Sequence, residues 1–266
     1  MPMVPIFQVD AFTRRAFGGN PAAVCPVEEF FDDAVLQAIA AENNLSETAF
    51  VRARGDGEYE LRWFTPADEV DLCGHATLAA GLVVLGRLDR AAKQARFHTR
   101  SGLLIVERGA EGALVMDLPV DVPRPVQSPA GLAAALRAAP SDVLRGRYLL
   151  AVFDDAETVR GLAPDMAAVA ALDARAVCVT APGSGADADV AFVSRLFAPR
   201  VGIPEDPVTG SAHCLLAPYW GERLDLVAMD ARQVSRRGGE LHVARVGDRV
   251  VITGHAVEVL AGELRW

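Results

Sequence analysis

Two stretches of this chain repeat one order of features, and that repetition limits the folds open to it. In the first, an alternating strand pattern ends in Phe64-Thr65-Pro66, a polar loop follows, and Gly74-His75-Ala76 opens an apolar helix. In the second, a strand pattern ends in Phe197-Ala198-Pro199, another polar loop follows, and Gly210-Ser211-Ala212 opens a second apolar helix. The two Phe-x-Pro signals lie half of the 266-residue chain apart. Duplication explains the shared order of strand, Pro, polar loop, Gly and buried helix. It predicts two similar lobes, each an antiparallel-rich sheet wrapped on one central helix, with a ligand cleft between them.

The remaining pattern fills in those lobes. PIFQVDAF alternates as a strand, and FGGNPAAVCPV reads as a turn feeding a second one. FDDAVLQAIAAENN carries apolar residues at helical spacing, and YELRWFTP is a strand that stops at Pro66. EVDLCGHATLAAGLVVLGRL gives a short strand, a Gly turn and a helix apolar nearly all round, which should be buried on most faces. FHTRSGLLIVERG and ALVMDLP read as a hairpin. PVDVPRPVQSPAG, with four prolines, reads as a linker. The expected division is 1–118 and 119–254, with a last strand at about 255–266 completing the first lobe. PAGLAAALRA and SAHCLLAPYWGERL are helices of the second lobe; GRYLLAVFDD, ARAVCVTAPG and ADVAFVSRLFAP are its strands.

Composition narrows the function. The chain is 51% hydrophobic and 23% charged, as in a globular protein with an ample core. A formal charge of −9 argues against nucleic acid or anionic membrane as partners, since both require a basic face. No segment approaches the ~18 apolar residues of a membrane span. The opening MPMVPIFQVDAF lacks the basic and apolar regions of a signal peptide. Cys25, Cys73, Cys178 and Cys214 form no CxxC pair, so a reduced, cytoplasmic protein is expected. His75, His98, His213, His242 and His255 form no metal-binding spacing, and no phosphate-binding glycine loop or GxSxG elbow is present. No metal and no cofactor are expected, which favours proton chemistry if the chain is an enzyme.

The helix mouths carry the chemistry. A helix N-terminus presents unpaired N–H groups and the positive end of its dipole, so it binds anions. Taken singly, Thr209 or Ser211 could be an ordinary cap and Gly210 an ordinary turn. Two buried helices that both open on polar, proton-handling types suit a small acidic ligand. Glu47, in NNLSETAFV, stands between a helix and an apolar strand, where a carboxylate is suited to proton transfer; it could also be a solvated turn residue beside Ser46. His75 at a helix N-terminus is expected to have a lowered pKa and a neutral ring. Asp206 is confined to extended geometry by Pro207. Cys73 is either a small buried apolar residue or a thiolate activated by the helix dipole.

Together, VDAFTRRAFGGNPAAV, NNLSETAFV, FTPADEVDLCGHATLAAG, EDPVTGSAHCLLAPYW and SRRGGELHV resemble the phenazine-biosynthesis (PhzF-like) isomerase/epimerase family, relatives of the diaminopimelate epimerases. The resemblance covers almost the whole chain. It implies an α+β, diaminopimelate epimerase-like fold: two pseudo-symmetric lobes, each a mixed, mostly antiparallel sheet curled around a central helix. It also implies a cofactor-free homodimer acting on a small acidic metabolite, as in the isomerisation of trans-2,3-dihydro-3-hydroxyanthranilate by one glutamate acid/base. Carried over residue by residue, that glutamate is Glu47. His75, Asp206 and Ser211 join it as catalytic residues, and Asn20, Ser46, Gly74, Thr209 and Gly210 as substrate-binding ones. The related epimerases use two cysteines. Cys73 stands where the first would be, but Pro207 occupies the place of the second, so a one-base mechanism is expected. Two other readings remain: an epimerase or racemase using Cys73, and a metabolite-binding protein without turnover.

Overall fold

The computed structural model describes residues 2–266. The chain forms two units, one comprising the residues up to Asp117 together with Thr253–Trp266, the other Leu118–Ile252.

In the first unit, β1 (Met3–Ala11) pairs antiparallel with β2 (Asn20–Val27) on one side and with the C-terminal strand Ala256–Arg265 on the other. The β1–β2 turn needs glycine at 19: its φ is +60°, and a Cβ there would meet the Ala11 carbonyl oxygen at 2.0 Å. Helix α1 (Asp33–Asn43) then leads to β3 (Glu47–Gly55), parallel to β2. Left-handed Asn44 ends α1. The helix buries Leu36, Ile39 and Ala40 among Val4, Cys25, Phe50 and Phe64. β4 (Glu58–Phe64) and the short β5 (Glu69–Val70) extend the sheet antiparallel. Helix α2 (Gly74–Val83) follows, buried at every residue except Leu82, as its all-round apolar sequence requires. It packs on β1, β2, β3 and the next hairpin, with Gly81 seated against Val106, where a Cβ would lie 2.5 Å from Cγ1. That hairpin is β6 (Gln94–Thr99), parallel to β4, and β7 (Gly102–Arg108); β8 (Leu114–Pro119) then pairs with β7. The FHTRSGLLIVERG stretch is thus two strands rather than one, with its reversal between Thr99 and Gly102.

The second unit repeats this order. The short β9 (Arg124–Pro125) pairs with β10 (Asp142–Arg145), with α3 (Leu132–Leu136) between them. β10 pairs antiparallel with β11 (Leu149–Val152). Helices α4 (Ala156–Gly161) and α5 (Met166–Ala171) lead to β12 (Val177–Pro182), parallel to β11. β13 (Phe192–Ala198) and β14 (Ile203–Asp206) follow antiparallel. Then comes α6 (Gly210–Leu224), and after it β15 (Ala228–Gln233), parallel to β13, hairpinned to β16 (Gly239–Val246). β17 (Arg249–Gly254) completes the chain's path back. Helices α3 to α5 cover an apolar cluster that includes Leu149, Val177, Val193 and Phe197, while α6 packs on β15 and β16. Residues 119–131, read from sequence as a linker, are tied into this unit. Val120 N–H donates to the Asp248 carbonyl, Asp121 N–H to that of Cys214, and β9 joins the sheet. No helix among the described residues is long and apolar enough to cross a membrane.

Candidate active site

The parallel β2–β3 pair sets the first group of functional side chains. Parallel strands begin at the same sheet end, so Asn20 opens β2 and Glu47 opens β3, opposite Ala22, at neighbouring positions. The mouth of α2 supplies His75. Glu47 and His75 are 8% and 4% exposed, so the carboxylate is buried rather than a solvated turn residue. Glu47 Oε2 lies 2.9 Å from His75 Nε2, yet neither atom has a hydrogen-bond partner among the described residues. The two atoms face each other at ion-pair distance, and neither has a further partner among the described residues. Behind them the ring is held. The Ser46 hydroxyl donates to Asn20 Oδ1 at 2.9 Å. Asn20 thereby turns its amide nitrogen to His75 Nδ1 at 3.1 Å, which places the neutral ring's proton on Nε2, the Glu47 side. Cys73 Sγ lies 3.5 Å from the same Nδ1.

The electrostatics of this group differ from the expectation for a ring at a helix mouth. Burial lowers the His75 pKa, but Cys73 and Glu47 beside it outweigh burial and hold it well above the ordinary 6.5. The helix N-terminus was expected to keep the imidazole neutral; a buried carboxylate at 2.9 Å is the stronger neighbour. Burial pushes the Cys73 thiol up to about 11, and the Glu47 charge adds to it, so Cys73 is a thiol near neutral pH.

The second group lies at the mouth of α6, in the other unit. Asp206 ends β14 in extended geometry, as its place before Pro207 requires. Thr209 is the N-cap residue, but its hydroxyl donates to Asp206 Oδ2 instead of capping the helix. Two residues absent from the sequence reading complete this mouth. Gln233, fully buried, accepts from Thr209 N–H at 2.9 Å and donates to the Asp206 carbonyl at 2.7 Å. Its signal was available: Met229, Ala231 and Gln233 share the buried face of β15, so an amide sits in an apolar row. Tyr148 bonds Ser211 through the two hydroxyls at 2.8 Å, and no local pattern marks it. Glu205 pairs with Arg195 at 2.7 Å. His213 lies within the helix; its Nδ1–H donates to the Thr209 carbonyl, and burial lowers its pKa to about 4.

Asn20, Ser46, Glu47, Gly74 and His75 thus converge at one helix mouth, and Asp206, Thr209, Gly210 and Ser211 at the other. The sequence of the whole chain shows the same kinship. The profile of the family described as phenazine biosynthesis-like proteins (PhzC-PhzF) matches residues 9–262. The chain belongs to the phenazine biosynthesis-like family. An uncharacterized isomerase of Pseudomonas aeruginosa is 52% identical over 259 residues, covering 97% of this chain and 98% of that protein. The crystal structure of a PhzF-family phenazine biosynthesis protein from Enterococcus faecalis is 43% identical, with a TM-score of 0.94 and full coverage of both chains. The fold extends further: a hydroxyproline epimerase from Agrobacterium vitis superposes with a TM-score of 0.63 at 10% identity, over 98% of this chain and 92% of that one. The PhzF-like chain therefore has the two-lobed α+β fold of the epimerases.

Proposed function

We propose that this PhzF-like protein is a cofactor-independent isomerase that moves a proton on a small carboxylate-bearing metabolite, similar to trans-2,3-dihydro-3-hydroxyanthranilate isomerase, with Glu47 as the single acid/base. The family and a relative named as an isomerase support the isomerase class. The observation that carries the finer reading is the buried pair, Glu47 Oε2 and His75 Nε2. A buried carboxylate oxygen whose only close polar neighbour is a titratable ring is costly in a fold and useful in a reaction.

In this mechanism the Glu47 carboxylate takes a proton from a substrate carbon. The electron pair left behind moves along the conjugated system, and the same carboxyl returns the proton at its far end. No electrons are gained or lost overall. His75, whose pKa Cys73 and Glu47 raise against burial, offsets in its protonated form the negative charge that passes from Glu47 to the substrate. Asn20 and Ser46 hold the ring in place, and Gly74 allows close approach to the α2 mouth. In the second unit we assign Asp206 and Ser211 to proton handling and carboxylate binding, with Thr209 and Gly210 supplying hydroxyl and N–H contacts. The small-residue mouth of α6 supports that assignment.

The Cys73 epimerase reading has one observation in its favour, the thiol's place 3.5 Å from His75. A thiol with a pKa of about 11 and no second cysteine at 207 favours the glutamate. The test is incubation in heavy water with trans-2,3-dihydro-3-hydroxyanthranilate and with small carboxylates from a metabolite extract. Deuterium entering one carbon as a double bond shifts supports the isomerase. Binding of such compounds with no exchange into any of them overturns it in favour of a binding protein.

A further inference from the structure

Residues 12–19 join β1 to β2 by a path that local preference does not favour. Phe12 and Phe17 stand at φ +61° and +69°, a region bulky side chains rarely enter. The Phe12 ring is fully buried, whereas Phe17 is 80% exposed, so packing of its own ring does not hold Phe17 there. The contact that reaches it comes from Asp10 on β1. This carboxylate is only 1% exposed, and its Oδ2 accepts from the Phe17 N–H at 2.7 Å. We propose that Asp10 is a positioning residue for the proton-transfer site, acting through this loop and Asn20 on the ring of His75.

Asp10 and Ala11 close β1 opposite Pro21 and Asn20, the residues that open β2. A buried carboxylate requires donors, and the loop supplies one at Phe17, shortly before Asn20. Thr13 ties the other end of the loop. Its N–H donates to the His255 carbonyl at 3.0 Å, and its hydroxyl accepts from the Arg15 N–H at 3.2 Å. With the loop fixed at both ends and Gly19 seated against the Ala11 carbonyl, the chain enters Asn20 without slack. Asn20, fully buried, then has two directional tasks: Oδ1 accepts from Ser46 at 2.9 Å, and the amide donates to His75 Nδ1 at 3.1 Å. The direction of so short a side chain follows its backbone. The carboxylate that sets the turn therefore also sets which ring nitrogen Asn20 meets, and that bond decides the tautomer that turns an N–H toward Glu47. Were burial its only task, an apolar residue like its buried neighbours Val9 and Ala11 would suit position 10 at less cost.

Only the consequence for turnover rests on the isomerase reading; the ring itself can be followed without substrate. The test is imidazole nitrogen NMR of the full chain, isotope-labelled at histidine, with the His75 signals assigned by their loss in His75→Asn. Above its titration midpoint the wild-type ring should show one tautomer, Nδ1 bare and Nε2 protonated. In Asp10→Ala, with a melting transition that shows it folded, Nδ1 should take up a share of the proton. The midpoint should also rise, because a bond to the neutral ring is lost. Asp10→Ser takes its place if the alanine chain does not fold. Asp10→Asn, which keeps an oxygen for the Phe17 N–H, should restore the wild-type signals. Adding Asp10→Ala to Asn20→Ala should move the ring no further than Asn20→Ala alone. Unmoved His75 signals in the folded Asp10 variant overturn the proposal, as does a further shift in the double variant. Where a substrate exchanges deuterium, Asp10→Ala should lower kcat about tenfold with KM little changed. Phe17→Gly, which keeps the N–H and suits the left-handed turn, should exchange at the wild-type rate. A matching loss there would assign the effect to the exposed ring and overturn the proposal. If no compound exchanges, the isomerase reading fails while the ring signals still decide the role of Asp10.

Discussion

Both helix mouths carry a histidine within their first turn, and the two rings stand in opposite environments. His75 faces a carboxylate and a thiol, which raise its pKa well above 6.5 despite burial. His213 faces Phe192 and a backbone carbonyl, and burial lowers its pKa to about 4. The α2 mouth is held by side chains, Ser46 to Asn20 to His75, and sets Glu47 Oε2 against His75 Nε2 with no other partner for either among the described residues. The α6 mouth is held through its backbone by Gln233, with Ser235 donating to the Pro207 carbonyl. One helix-mouth design therefore serves two ends. The first unit concentrates groups that can exchange a proton, and the second braces a loop that presents N–H groups and hydroxyls.

The comparison can be broken at several points. After Glu47 itself, the largest effect is expected at His75. His75→Asn should lower turnover by roughly 10²-fold or more, and the alkaline limb of the pH profile, where the cationic ring loses its proton above the usual histidine range, should disappear. A variant that keeps that limb would assign it elsewhere. Next comes acid stability. His213 titrates at about 4 when folded against about 6.5 when unfolded, so it contributes stability above pH 6.5 that is lost as pH falls toward 4. The loss is roughly 3 kcal/mol. Denaturant unfolding across that window should show it in the wild type and a flatter curve in His213→Leu. His75, with a raised pKa, has the opposite sign: its contribution is complete below pH 6.5 and is lost as pH rises through its folded value. Smaller again is Gln233→Ala, which strands the Thr209 N–H and the Asp206 carbonyl and should cost about 1–3 kcal/mol in chemical denaturation. Tyr148→Phe, which removes one hydroxyl partner from Ser211, should cost about 1 kcal/mol. An unchanged midpoint there would mean Ser211 finds another partner.

Much of this was legible because duplication leaves a pattern that no single strand or helix has. Phe64 ends β4 and Phe197 lies near the end of β13, each followed by a short antiparallel strand, a buried helix and a strand returning parallel. The motifs around Glu47 and His75 announced both residues. Their mutual distance was not legible, since it depends on the parallel register of β2 and β3 and on where α2 begins. A helix N-terminus alone lowers a histidine's pKa, whereas tertiary structure sets Cys73 and Glu47 beside the His75 ring, and they raise it. Tyr148 was invisible because its partner is 63 residues away and no local pattern marks it. Residues 119–131 misled because proline richness signals the absence of regular structure, not the absence of attachment.

The central claim is that one carboxylate moves the proton. It is tested most directly by comparing solvent deuterium uptake in wild type, Glu47→Gln and Cys73→Ala, each shown folded and each supplied with the same exchanging substrate. The account predicts uptake by the wild type, uptake within a few-fold of it by Cys73→Ala, and none by Glu47→Gln, which should still bind the substrate. Uptake at the wild-type rate by Glu47→Gln, or its loss in Cys73→Ala, would contradict it.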